Sequence, residues 1–180
     1  MKLFIIGPPG SGKGTQAEMI AKEFNLKHIG IGDILRKKVL EKSKDGKVIK
    51  DHMDRGDLVP NYIVDKIVND KTKDVDKFIV DGFPRDIKQA EGFKGKVDKI
   101  IYLTSSDEVI IKRLLLRKRV DDTLEIIKHR IRVYNEDTEP VIKFYKKKKL
   151  LLEINGNPTI EEVFIDLKNT LKKIFFSKNS

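Results

Sequence analysis

Met1-Lys2-Leu3-Phe4-Ile5-Ile6-Gly7-Pro8-Pro9-Gly10-Ser11-Gly12-Lys13-Gly14-Thr15-Gln16 opens the chain. An apolar run over 1–6 leads directly into a glycine-rich loop and then a helical pattern. This is a strand–loop–helix unit of the kind that binds nucleotide phosphates. Its glycines allow consecutive backbone N–H groups to converge on one anion. The helix that follows adds the positive end of its dipole. Gly10, Ser11, Gly12, Lys13, Gly14 and Thr15 are therefore the expected nucleotide-phosphate contacts, with Lys13 as the point charge and the Thr15 hydroxyl where Mg²⁺ is held. The general phosphate-loop pattern has Ser or Thr directly after the lysine, whereas Gly14 intervenes here. A chance glycine-rich turn would not supply ten consecutive compatible residues between a strand and a helix.

Outward from this unit, apolar runs alternate with helical periodicity, the pattern of an α/β fold around a parallel sheet. Strands are predicted over 3–6, 27–29, 78–80, 100–103 and 150–154. Helices are predicted over 13–24, 32–41, 47–55, 62–71, 87–93, 108–117, 123–136, 138–147 and 160–174. The stretch between the strands near Ile29 and Phe78 holds more helix than one crossover needs. It reads as a helical arm over 30–59, hinged near Gly30 and Pro60, that closes over a second ligand.

The chain of 180 residues suits one domain, 39% hydrophobic and 37% charged. It has no cysteine, which excludes disulfides and Cys-bound zinc. The apolar start is too short for a secretory leader, and no run approaches the ~20 apolar residues of a membrane helix. A cytoplasmic protein without membrane contact is expected. The formal charge of +10 fits a polyanionic substrate or nucleic acid. Most of it reads as lysines solvating the surface, as in Lys146-Lys147-Lys148-Lys149, so no nucleic-acid partner is expected.

A second constellation is Phe78-Ile79-Val80-Asp81-Gly82-Phe83-Pro84-Arg85. An Asp ending a buried strand in a phosphate-loop protein holds Mg²⁺ or its waters, although such an Asp is also often a turn or helix cap. Gly82, Pro84 and Arg85 build a turn that presents a guanidinium. Gln89, four residues on, is placed to pair with a base edge. Arg113 and Arg117 share a helix face by their spacing of four, Arg119 precedes Asp121-Asp122, and Arg130 follows on the next helix. Solvated surface charge is the usual fate of such arginines, but their fixed fork suits two phosphate oxygens at once. His28, His52 and His129 have no nucleophile or metal-ligand spacing beside them and read as structural.

With these residues the chain resembles the adenylate kinases among the nucleoside monophosphate kinases. The resemblance is carried by the phosphate loop, His28–Arg36 as H-I-G-I-G-D-I-L-R, G-D-L-V-P at 56–60, D-G-F-P-R with Gln89, and R-V-D-D at 119–122. It implies a five-stranded parallel sheet flanked by helices and a Mg²⁺-dependent transfer from ATP to AMP that gives two ADP. It further implies that Arg36 binds the monophosphate's phosphate, and that Asp57, Leu58, Val59, Gly82 and Arg85 line its pocket. Gln89 meets adenine, and Lys13, Arg85, Arg113, Arg117, Arg119 and Arg130 clamp the transferring phosphates. Asn157 stands in the loop whose backbone meets the ATP adenine. Ile31 departs from the family's usual Thr beside the base and offers only packing. A UMP/CMP or broad-specificity kinase is thus the alternative reading, and a non-catalytic nucleotide- or nucleic-acid-binding protein a further one. The segment 117–120 stands where long forms carry a lid, so the lid is vestigial and its zinc absent. A monomer is expected, with a homo-oligomer open.

Overall fold

The structure, a computed structural model, describes residues 1–117 and 123–177. Strands β1 (Lys2–Ile6), β2 (Lys27–Gly30), β3 (Phe78–Asp81), β4 (Lys99–Thr104) and β5 (Leu151–Asn155) form a sheet in the order β2-β3-β1-β4-β5. Every pairing is parallel. The register explains the core. Ile29, Val80, Phe4, Ile100 and Leu151 lie in one row across the sheet and face one apolar cluster. Leu3, Ile5, Ile79 and Ile101, offset by one, face a second. This is the period of two expected of strands covered on both sides.

Helices supply the two covers. On the second face lie α1 (Lys13–Phe24) and α9 (Ile160–Phe176), through Ala17, Ile20 and Ala21 and through Val163, Leu167 and Leu171. Those spacings of three and four put each set on one helical stripe. On the other face lie α2 (Ile31–Leu40), α3 (Lys44–Arg55), α4 (Asn61–Thr72), α5 (Ile87–Gly92) and α8 (Glu139–Lys147). A smaller cluster of Ile110, Leu114 and Ile127 joins α6 (Asp107–Arg117) to α7 (Leu124–Val133). Helix α9 starts at a capping box, in which Glu162 N–H donates to Thr159 Oγ1 and Thr159 N–H donates to Glu162 Oε2.

The predicted elements match the observed ones within a few residues, with two informative differences. Helix α3 starts at Lys44, three residues before the predicted 47, because Gly46 N–H donates to Ser43 Oγ at 3.0 Å and caps an earlier turn. The predicted break at position 137 is absent. A π-helical turn, Tyr134–Thr138, carries α7 straight into α8. Pro140 correctly marks the first turn of α8 but does not require a gap before it.

Parallel strands place all their carboxyl ends at one edge. From β1 the chain leaves towards β2, and from β4 it leaves towards β5, in opposite directions across the sheet. The crevice at such a divergence is where open α/β sheets bind ligands. The glycine-rich loop that follows β1 lies there.

Candidate active site

A single cleft of about 600 Å³ runs along this edge and is lined by the phosphate loop, the start of α2, residues 56–59, the turn after β3, and parts of α6, α7 and the β5–α9 loop. The loop comes first. No side chain caps α1, so its first-turn N–H groups are left for a ligand. Ser11 is buried, and its Oγ has no hydrogen-bond partner among the described residues. Lys13 Nζ donates to Pro8 O at 3.2 Å, curling back over its own loop. The departure at Gly14 now has a physical reason. A Cβ there would stand 3.1 Å from Asp81 Oδ2, a tight contact that the β3 carboxylate would have to give way to, and glycine avoids it. Asp81 Oδ1, also buried, lacks a partner among the described residues.

The turn after β3 is anchored from below. Phe83 is 1% exposed and packs edge-on against Phe4 (5.4 Å) and Phe93 (6.0 Å), contacts worth about 0.5–1.5 kcal/mol each beyond their burial. That fixes Arg85, whose Nε donates to Gly82 O at 3.1 Å and whose carbonyl accepts from Thr138 Oγ1 at 2.7 Å. Arg85 is exposed and lines the cleft. Desolvation holds its pKa below the ordinary arginine value; Asp81 opposes this, and Arg130 and Arg36 reinforce it. Three guanidiniums thus sense one another in one cleft, an arrangement that an anion would relieve. Arg36 also pairs with Asp33 one turn earlier, and Arg130 donates to Met53 O at 3.3 Å.

Gln89 is buried at the cleft wall. Its Oε1 accepts from Arg85 N–H and its Nε2 donates to Asn61 Oδ1, both at 2.8 Å. Ile31 lines the cleft at 2% exposure and packs into the core cluster. Asp57, Leu58 and Val59 line it as well. The Asp57 carboxylate accepts from Arg55 Nε (2.8 Å) and from His129 Nε2 (2.7 Å), and these bonds, Arg55 first, hold its pKa below 3.8. Arg132 donates to His129 Nδ1, so the His129 proton sits on Nε2.

The second-half basic residues separate. Arg117 faces the cleft from the end of α6. Arg113 also lines it, but its terminal nitrogens donate to loop carbonyls: Gly156 (2.8 Å), Pro158 (3.1 Å), Asn157 (3.3 Å) and Ser11 (3.5 Å). It ties the phosphate loop to the β5–α9 loop. Gly156 and Pro158 line the cleft beside it, while the Asn157 side chain turns to accept from Ser106 N–H at 3.0 Å. Arg119 and most of the segment 117–120 lie outside the described residues. Tyr134 and Thr138, both in the π-helical turn, line the cleft without having been singled out by sequence. Neither belongs to a motif, and only the fold brings them there.

Comparison with known proteins agrees with this geometry. Residues 5–150 match the adenylate kinase family. The chain belongs to the adenylate kinase family. It is 41% identical to an adenylate kinase of Trichodesmium erythraeum over 97% of this chain and 99% of that one. Identity is 39% to adenylate kinase 1 of a Nostoc species, over 94% and 98%. It is 36% to the adenylate kinase of Encephalitozoon cuniculi, over 95% and 98%. Alignment with an adenylate kinase of Thermoanaerobacter runs over 212 positions against the 180 residues here, so that relative carries residues with no counterpart in this chain. The all-parallel sheet and its order are the nucleoside monophosphate kinase fold of this family, and the chain is a phosphotransferase of that class. No helix among the described residues is long and apolar enough to cross a membrane.

Proposed function

We propose that the cleft transfers the γ-phosphoryl group of Mg·ATP directly to AMP, reversibly, giving two ADP. The observation that carries this is one continuous cleft with two unlike ends. The phosphate loop and Asp81 line it together with Arg36, Arg85, residues 57–59 and Gln89. A triphosphate bound at the first set and a monophosphate at the second face each other across the arginines. A phosphate oxygen of AMP attacks the γ-phosphorus in line as the bond to the β,γ-bridging oxygen breaks. No general base is required, since that oxygen is already deprotonated at neutral pH. Lys13, Arg85 and Arg130 neutralise charge on the migrating group, with Arg117 and Arg119 completing the clamp, and the rate enhancement is positioning plus electrostatics. Arg113 holds the two loop walls together.

Mg²⁺ suits the donors present. Asp81 Oδ1 is buried and has no hydrogen-bond partner among the described residues, and Thr15 lines the same cleft. A nucleotide-bound Mg²⁺ wants one or two such hard oxygens rather than a protein cage. Asp81 and Thr15 would hold it or its waters, and it would offset the charge of the phosphates.

Ile31 supports a looser alternative, a kinase that also accepts UMP or CMP, because its buried side chain adds no hydrogen bond at the base. The enzyme works as a monomer in the cytoplasm. The cleft is built by one chain, and a cysteine-free protein suits a reducing compartment. A coupled assay with AMP, GMP, CMP and UMP tests the assignment. AMP should give the highest kcat/KM; UMP or CMP ahead of AMP would replace the reading with the alternative.

A further inference from the structure

Thr138 has only 4% of its surface exposed, so its hydroxyl needs a partner inside the protein. A threonine within a helix often returns that bond to the carbonyl four residues earlier. Thr138 instead reaches across to another element and donates to the Arg85 carbonyl at 2.7 Å, 53 positions away.

That carbonyl belongs to the peptide unit after Arg85. The unit before it is held separately, through the Arg85 N–H to Gln89 Oε1 at 2.8 Å. Each unit is planar, and the two are joined by the soft dihedrals of Arg85, so holding one does not orient the other. The direction in which the Arg85 side chain leaves the backbone is set once both are held. Its Nε donates to Gly82 O, which leaves the terminal nitrogens for an anion.

The continuous helix that carries Thr138 also carries Arg130. From 130 to 138 is eight positions, which in an α-helix make two turns and about 80°, on different faces. The π-helical turn, Tyr134–Thr138, takes up one residue more than an α turn. Eight positions then rotate as seven, within about 20° of two full turns. Arg130, Tyr134 and Thr138 accordingly all line the cleft.

We infer that Thr138 is a positioning residue for phosphoryl transfer: its hydroxyl fixes the peptide after Arg85 and thereby the angle at which that guanidinium enters the cleft. The inference rests on the proposed role of Arg85 in neutralising the migrating phosphoryl group. Thr138 takes part through Arg85, not through a contact with phosphate.

The test measures the single-turnover rate of transfer, per mole of folded enzyme, and the Kd for Mg·ATP. It compares the wild type, Thr138→Val, Thr138→Ser, Arg85→Ala and the Thr138→Val/Arg85→Ala double variant. Valine keeps the shape of threonine and removes the hydroxyl, whereas serine keeps the hydroxyl. Thr138→Val should slow transfer by about tenfold, less than the ~10²-fold cost of a full ångström's misplacement, and leave the Kd for Mg·ATP unchanged. Thr138→Ser should retain the wild-type rate. Added to Arg85→Ala, Thr138→Val should slow transfer no further, the non-additivity of two residues that act as one. Wild-type transfer by Thr138→Val, a serine that behaves like valine, or losses that multiply in the double variant would each overturn the positioning role. In those cases a slow Arg85→Ala enzyme still upholds the role of Arg85. If Arg85→Ala transfers at the wild-type rate, that role is wrong, and the inference goes with it.

Discussion

Lys13 is the residue on which the proposed transfer turns. Its ammonium donates to Pro8 O of its own loop. It stands at the cleft rather than in the core, so Lys13→Met removes charge without opening a cavity. Turnover should fall by about 10²–10³, the usual cost of one preorganised electrostatic donor, while thermal unfolding shifts little. A variant with near-normal turnover would remove Lys13 from the mechanism. At this scale much was legible. The phosphate loop, Asp81, Arg85 and Gln89 are motif residues, and motifs are local because a turn and its neighbouring strand end need particular residues at fixed offsets. Even the odd Gly14 was visible as an exception, but the carboxylate beside it was not: Asp81 lies 67 positions away, and only the sheet brings β3 beside β1. Arg113 was readable as a cleft residue, but not its ties to three consecutive loop carbonyls, because a backbone acceptor leaves no trace in a sequence.

Among elements, the contact between α3 and α7 sets how the proposed arm over 30–59 is held. Gly56 ends α3 with φ +80°, and a Cβ there would lie 3.2 Å from Arg130 Cγ and Ile126 Cγ2. Beside it Asp57 takes bonds from Arg55 and His129. A carboxyl whose pKa is depressed in the folded protein contributes stability above its unfolded value and loses it as pH falls through the folded one. The latch should therefore be fully made above pH 3.8 and loosen only below it, modestly, since the pair is partly solvated. Hydrogen exchange checks this. Asp57→Ala should raise exchange in α3 at neutral pH to the level that the wild type reaches in acid. Unchanged exchange would mean that packing at Gly56 alone holds the arm. Helical periodicity predicted these elements well. It read a break in place of the π-helical turn because one added residue in the turn shifts the apolar stripe around the helix as a new helix would, and it read His129 as structural without its partner 72 positions away.

For the molecule as a whole, the link from Arg117 to Thr123 counts five residues, 118–122. A lid excludes water while arginines gather on the phosphates. This chain keeps the arginines in its sequence, and the proposed vestigial lid, 117–120, offers few residues to cover them. Mg·ATP alone should therefore be hydrolysed measurably, slowly compared with transfer but faster than by a relative with a full lid. Phosphorus NMR of the purified enzyme with Mg·ATP and AMP follows transfer and leak together and tests direct transfer between two nucleotides in one cleft. The account predicts two ADP formed for each ATP consumed, AMP lost in step, and inorganic phosphate only as a minor product. Inorganic phosphate released one-for-one with ATP consumed, with AMP untouched, would contradict it.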